Sequence, residues 1–190
     1  MTIASDVGKE AVKWLVHAAT ATLEQHSKEV DDGFALISKA VLGGQTVFAC
    51  GNGGSSATAA HFIAELVGRY KKERGPLRAV ALGSCLSTIT AVGNDYGYDQ
   101  VFARELEGLG VAGDVLICFT TSGRSPNVLK AIDVARERGI GVIAVTGTLG
   151  ADLALITDCT IPVVSPVTAR IQEVHDLIIH IWCEALDTLL

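Results

Sequence analysis

Between residues 46 and 164, five short apolar β-prone runs alternate with helix-like stretches, and no other feature of the chain restricts its fold as tightly. The runs are Thr46–Cys50, Ala79–Leu82, Asp114–Phe119, Gly141–Thr146 and Cys159–Val164. The stretches between them are roughly Ser56–Tyr70, Leu86–Val92, Val101–Leu109 and Pro126–Arg138. Strand, helix, strand in succession makes βαβ units with right-handed crossovers and a parallel sheet. A parallel sheet is covered on both faces, so its strands read as nearly unbroken aliphatic runs rather than alternating ones. The runs here are of that kind. The expected fold is a single α/β sandwich over residues 1–190, with its core at 46–165.

Helices flank this core. Val12, Leu15, Ala19 and Leu23 recur at helical spacing, as do Phe34, Ile37, Ala40 and Val41, before a Gly43-Gly44 stop. Residues 1–42 therefore read as two helices. The closing segment, Thr168 to Leu190, carries Ile171, Val174, Leu177, Ile178, Ile181, Trp182, Ala185 and Leu189 on one wide apolar face. Both ends are apolar enough to predict helix-to-helix contact between copies of the chain.

Composition narrows the function classes. Hydrophobic residues make up 49% and charged residues only 19%, which excludes a disordered chain. The net charge of −6 and the lack of a basic stripe argue against a general nucleic-acid surface, the densest cluster being Arg69 to Arg74. No apolar run reaches the ~20 residues of a spanning helix. Nor do residues 1–10 resemble a signal peptide, so no membrane partner and a cytoplasmic location are expected. The five cysteines are scattered with no CxxC pair, as in reduced core thiols.

Two loops could hold an anion. The first run leads into Gly51-Asn52-Gly53-Gly54-Ser55-Ser56 and then a helix. Glycines let the backbone come close to a ligand, and a helix start offers free N–H groups. The same residues would also make a plain tight turn. The third run leads into Thr120-Thr121-Ser122-Gly123-Arg124-Ser125-Pro126-Asn127, which has more hydroxyls than one helix cap requires. Amides and hydroxyls together could grip a phosphate monoester without lysine. Both loops leave the carboxyl ends of strands, where open α/β sheets bind ligands. Gly93-Asn94-Asp95, taken alone, reads as a turn.

His61 and Glu65 stand at i and i+4 on the helix after the first loop, so they share a face. That spacing suits a metal site, or a base steadied by a histidine, and it also occurs on ordinary solvated helices. The closing helix carries Gln172, His175 and His180. Gln172 and His180 lie about 80° apart around that helix and roughly 12 Å apart along it. One metal could meet both only from midway between them, or if they came from different chains.

Taken together, Gly51-Asn52-Gly53-Gly54-Ser55, His61-Phe62-Ile63-Ala64-Glu65-Leu66, Gly93-Asn94-Asp95-Tyr96-Gly97, Thr121-Ser122-Gly123-Arg124-Ser125-Pro126-Asn127 and Arg170-Ile171-Gln172-Glu173-Val174-His175 resemble phosphoheptose isomerases. These are the sedoheptulose 7-phosphate isomerase branch of the sugar isomerase (SIS) domain proteins. The resemblance covers essentially the whole chain. It implies a flavodoxin-like three-layer α/β/α sandwich with a five-stranded parallel sheet, assembled as a homotetramer with active sites at subunit interfaces. The activity it implies is conversion of D-sedoheptulose 7-phosphate to D-glycero-D-manno-heptose 7-phosphate through an enediol.

The resemblance also implies roles for single residues. His61, Glu65, Gln172 and His180 match the family's zinc-site positions, with one Zn²⁺ per subunit, and Glu65 and His180 match its base and acid. Asn52, Gly53, Gly54, Ser55, Glu65, Asn94, Asp95, Thr120, Thr121, Ser122, Ser125 and Gln172 match its substrate contacts. A carboxylate bound to zinc is a poorer base, so either the metal mainly organises the site or Glu65 loosens from it during turnover. The family pattern commonly has Asp where this chain has Thr58, which bears on substrate identity.

Two other readings compete. One is an isomerase of a different sugar phosphate. The other is a non-catalytic SIS adaptor resembling the factor that binds the bacterial replication initiator. That branch lacks the acid matching Glu65 and the histidine matching His180, and both are present here.

Overall fold

The sheet has the strand order β2-β1-β3-β4-β5, with every pair parallel. Its strands are β1 (Val47–Gly51), β2 (Ala79–Ala81), β3 (Val115–Thr120), β4 (Gly141–Gly147) and β5 (Cys159–Val163). The computed structural model describes residues 3–190, so the first two residues of the expected helical segment 1–42 lie outside the described residues. Strand order reverses at β1, whose neighbours β2 and β3 lie on opposite sides of it. The helices are α1 (Ile3–Leu42), α2 (Gly54–Val67), α3 (Leu86–Tyr96), α4 (Val101–Leu109), α5 (Pro126–Glu137) and α6 (Thr168–Leu189).

Each strand sends alternate side chains to opposite faces, so the sheet separates two apolar layers. Val47, Ala49, Ile117, Phe119, Val145 and Ile161 pack under α1, α2 and α6. Phe48, Cys50, Leu116, Cys118, Val142 and Ala144 pack under α4 and α5. This is the three-layer α/β/α sandwich that the resemblance implied. All five cysteines are free, and Cys85 alone among them is exposed.

The two helices expected in residues 1–42 form one continuous element broken at His26, whose φ of −130° and ψ of 23° are not helical. The second half packs on α6 through a close approach at Gly33, where a Cβ would come within 2.9 Å of the Trp182 ring. The indole N–H of Trp182 donates to the Val30 carbonyl at 3.0 Å. Gly93, Asn94 and Asp95, read from sequence as a turn, continue α3 instead. The turn comes two residues later at Gly97, with φ of 93°. A 3₁₀ segment over Thr148–Leu155 was not expected from the sequence.

His175 of α6 is completely buried beneath the sheet's carboxyl edge, 5.8 Å from the Phe119 ring. Its Nε2 lies 3.4 Å from the Thr146 carbonyl oxygen, which can only accept, so the proton sits on Nε2. Nδ1 has no partner among the described residues. Burial pushes the imidazole pKa down to about 4. The unfolded chain therefore binds this proton first as pH falls below ~6.5, and folding stability drops with it until about pH 4. Between pH 7 and pH 5 this group alone removes about 2 kcal/mol of stability. Denaturant unfolding of wild type and His175→Met at the two pH values should show the variant losing less by that amount.

Candidate active site

The loop after β1 is shaped by close approaches. Gly53 has φ of 56° and ψ of −122°, a conformation open to glycine. A Cβ on Gly51 would meet the Ser55 backbone at 2.7 Å, and one on Gly54 would meet the Gln172 amide group at 2.6 Å. The α2 start uses no side-chain cap. The amides of Ser55 and Ser56 turn back to the Asn52 and Gly53 carbonyls. Those of Gly53 and Gly54 have no backbone partner among the described residues, which leaves donors for an anion at a helix N-terminus.

The second loop spends part of its hydroxyl supply on itself. Thr120 Oγ1 accepts from the Gly123 amide at 3.2 Å, and Ser122 Oγ accepts from the Arg124 amide at 3.2 Å. Gly123 has φ of 67° and presses on Gly150, where a Cβ would come within 2.5 Å. Ser125 precedes α5 without a side-chain cap bond. The Thr121 and Ser125 hydroxyls thus make no side-chain bond within the chain's described residues. A cavity of about 370 Å³ opens beside the loop, walled in part by Thr121, Ser122, Thr148, Ser165 and Thr168.

The two loops are braced to each other. Asn52 Nδ2 donates to Asn127 Oδ1 at 2.9 Å, and Asn127 Nδ2 donates back to Asn52 Oδ1 at 2.8 Å. Tyr98 adds its hydroxyl to Asn52 Oδ1 at 3.1 Å. The Asn52 side chain thus braces the two loops, and Asn127 and Tyr98 are neighbours of the loop pair that sequence reasoning missed. Asn127 followed a helix-start proline, which disguised it as capping chemistry.

Helices α2 and α6 meet in three levels. At the first, Gln172 lies against Gly54. At the second, the buried Thr58 hydroxyl donates to Asp176 Oδ1 at 2.7 Å. At the third, His180 Nε2 stands 3.4 Å from His61 Nε2, the rings edge-on with centroids 4.9 Å apart. His61 Nε2 is also 3.3 Å from Glu65 Oε1. The departure at Thr58 thus does not leave its level without a carboxylate, because Asp176 supplies one from the opposite helix.

Donor chemistry can be weighed against a metal. In a tetrahedral zinc site with metal–ligand distances of 2.0–2.1 Å, neighbouring donors lie about 3.3 Å apart. The His61–Glu65 and His61–His180 separations match that edge. No three His, Cys, Asp or Glu side chains among the described residues close around one metal position, so holding a shared metal would require Glu65 and His180 to turn. The donor set fits zinc in kind and in two of its separations.

Asn94 and Asp95 make no side-chain hydrogen bond to either loop among the described residues. They are exposed on α3, hydrogen-bonded to each other at 2.7 Å, and no residue of that helix is buried.

A parallel sheet of order 2-1-3-4-5, with glycine and hydroxyl loops leaving β1 and β3 at its switch point, is the flavodoxin-like arrangement of open α/β proteins, which bind ligands in that crevice. The SIS domain family model matches residues 12–147. The phosphoheptose isomerase of Shewanella oneidensis is 45% identical over 181 residues, covering 94% of this chain and 90% of that one. The phosphoheptose isomerase structure from Neisseria gonorrhoeae superposes with a TM-score of 0.90 at 38% identity, covering 98% and 100% of the two chains. The one from Francisella tularensis gives 0.92 at 35% identity, covering 99% and 100%. The chain belongs to the phosphoheptose isomerase family of SIS-domain proteins and is an isomerase.

The contact at Gly54 is testable. A Cβ there meets only the tip of a flexible side chain, so Gly54→Ala should hold folding stability within about 1 kcal/mol. It should nevertheless displace Gln172 and lower isomerase activity about tenfold or more. Thermal unfolding and steady-state kinetics on the same preparation check both halves.

Proposed function

We propose that this isomerase converts D-sedoheptulose 7-phosphate to D-glycero-D-manno-heptose 7-phosphate through an enediol, with Glu65 as base and His180 as acid. The observation that carries this reading is the convergence of Glu65, His61 and His180 on one helix pair whose α2 starts in the glycine loop. The phosphate end is assigned to that loop's free amides and to the hydroxyls of Thr120, Thr121, Ser122 and Ser125, which hold a dianion without a basic patch.

Glu65 takes the proton from C1 of the open-chain ketose and returns it to C2. His180 donates a proton to the C2 carbonyl oxygen as the enediol forms, takes the proton of the C1 hydroxyl as the enediol collapses to the aldehyde, and helps open the sugar ring. Zinc held by His61, Glu65, Gln172 and His180 would supply Lewis-acid polarisation of that oxygen. Gln172, set by Gly54 at the loop, orients the sugar between the phosphate grip and the imidazoles.

We further propose a homotetramer with the site completed across subunits. Supporting this, α3 with Asn94 and Asp95 has no buried residue. The first half of α1 leaves Val12 59% and Trp14 44% exposed. Faces of this kind are apolar enough to be covered by another copy. No helix of the described residues is long and apolar enough to cross a membrane.

Two measurements test the reading. In an assay that follows aldose formation from a panel of ketose phosphates, Glu65→Gln and His180→Gln should each lower kcat by about 10²–10⁴ on sedoheptulose 7-phosphate, and a chelator should lower it too. Full activity in either variant sinks the mechanism, and a better turnover of another ketose phosphate reassigns the substrate. Light scattering of a Val12→Glu, Trp14→Glu variant should show a smaller assembly with reduced activity; an unchanged assembly removes α1 from the interface.

A further inference from the structure

The segment leaving α2 is tied down by side chains that lie outside the loops and the imidazole pair. Arg74 turns back and donates to the carbonyl oxygens of Glu65 at 2.8 Å and Leu66 at 2.9 Å. Those are last-turn acceptors with no intrahelical donor, and a cation there also suits the negative end of the helix dipole. Asp187 of α6 receives the backbone amides of Lys71 at 2.7 Å and Lys72 at 2.8 Å on one oxygen. Its other oxygen faces Arg74 Nε at 3.5 Å, and both side chains are 8% exposed. Burial pushes the Asp187 carboxyl up, but the two amides and the guanidinium outweigh it and hold the group below its ordinary value.

Tyr70 sits inside this clamp, one peptide before the first amide that Asp187 binds. Its ring stacks on the His180 imidazole, with centroids 5.6 Å apart and planes inclined by 24°. Lys71 reinforces the placement, with its ammonium 5.2 Å from the Tyr70 ring centre and 2.9 Å from Glu184 of α6. Asp187 follows His180 by seven residues, about two helical turns, so the clamp and the imidazole share one side of α6. The ion pair thus holds Glu65 directly, at its carbonyl, and bears on His180 only indirectly, by fixing the backbone that follows Tyr70.

We infer that Tyr70 is a positioning residue for His180, held against the imidazole by the Asp187–Arg74 clamp that also caps the helix carrying Glu65. The inference rests on the isomerase mechanism above. An imidazole on a helix surface has two free side-chain torsions, and a stacked ring removes the alternatives. Displacing an acid by about 1 Å costs on the order of 10²-fold in rate.

The test uses the full chain with ¹³C-labelled histidine. His180 ring resonances are assigned by their loss in His180→Gln, and kcat and KM for sedoheptulose 7-phosphate are measured alongside. Tyr70→Leu should remove the ring-current shift from the His180 resonances and lower kcat about tenfold or more, with KM within about twofold. Tyr70→Phe keeps the stacked ring and should keep the shift and the kcat. Asp187→Asn removes the charge opposite Arg74 and should move the His180 resonances the same way by less; it serves as the second probe if Tyr70→Leu does not fold. The inference is overturned if the His180 resonances stay in place in Tyr70→Leu and Asp187→Asn. It is equally overturned if Tyr70→Phe loses as much kcat as Tyr70→Leu, or if the loss lies in KM. Full activity of His180→Gln would instead remove the mechanism while leaving the stacking shift intact, so the two failures are separable.

Discussion

Everything at the active site follows from β1 being paired in parallel on both edges in a sheet buried on both faces. Its neighbours β2 and β3 lie on opposite sides of it, and the crossover from β1 to β2 and the one from β2 to β3 cover opposite faces of the sheet. The chain leaving β1 therefore passes to one layer, in α2, while the chain leaving β3 passes to the other, in α5. Between them a crevice opens at the carboxyl edge of the sheet. Backbone amides at that edge have no further strand to pair with, and glycines and hydroxyls fill the opening. The Asn52–Asn127 pair spans it with two reciprocal hydrogen bonds, so the loops keep a set distance without a ligand.

Helix α6 brings the proposed reacting groups to this crevice. It packs on α2 along a seam where Gly54 faces Gln172, Thr58 bonds Asp176 and His61 meets His180. Polar contacts along a half-buried helix seam contribute only about 1 kcal/mol each to stability, yet they fix register far more sharply than aliphatic packing does. The Asp187–Arg74 clamp ends the same seam. The geometry of the proposed site is a consequence of helix register, and helix register is set by side-chain contacts along this seam.

Much of this was legible in the chain. The five strands and both loops were found to within a few residues, because a doubly buried strand must be aliphatic throughout and a backbone approaching a ligand must be small. His61 and Glu65 could be paired by spacing alone, since i and i+4 share a helix face whatever surrounds them. Other features were hidden. The end of α3 looked like a turn because Gly-Asn-Asp has turn chemistry, but the chain turns at Gly97, where φ is positive. The Thr58–Asp176 bond and the Asn52–Asn127 brace join residues more than seventy positions apart, and no local pattern announces either.

The sequence by itself determined the layer architecture, the two anion-ready loops and the family, because hydrophobic periodicity, glycine and hydroxyl clusters act over short stretches of chain. Only the tertiary structure decided which of the candidate residues meet. The contact of His61 with His180 spans 119 positions, and it exists because α2 and α6 pack on the same face of the sheet in one register. The structure also decided that Asn52 braces a loop, that His175 stays neutral in the core and that Tyr70 lies on His180. Each of these depends on what lies opposite a side chain after packing, and packing between distant segments is information that local spacing does not contain.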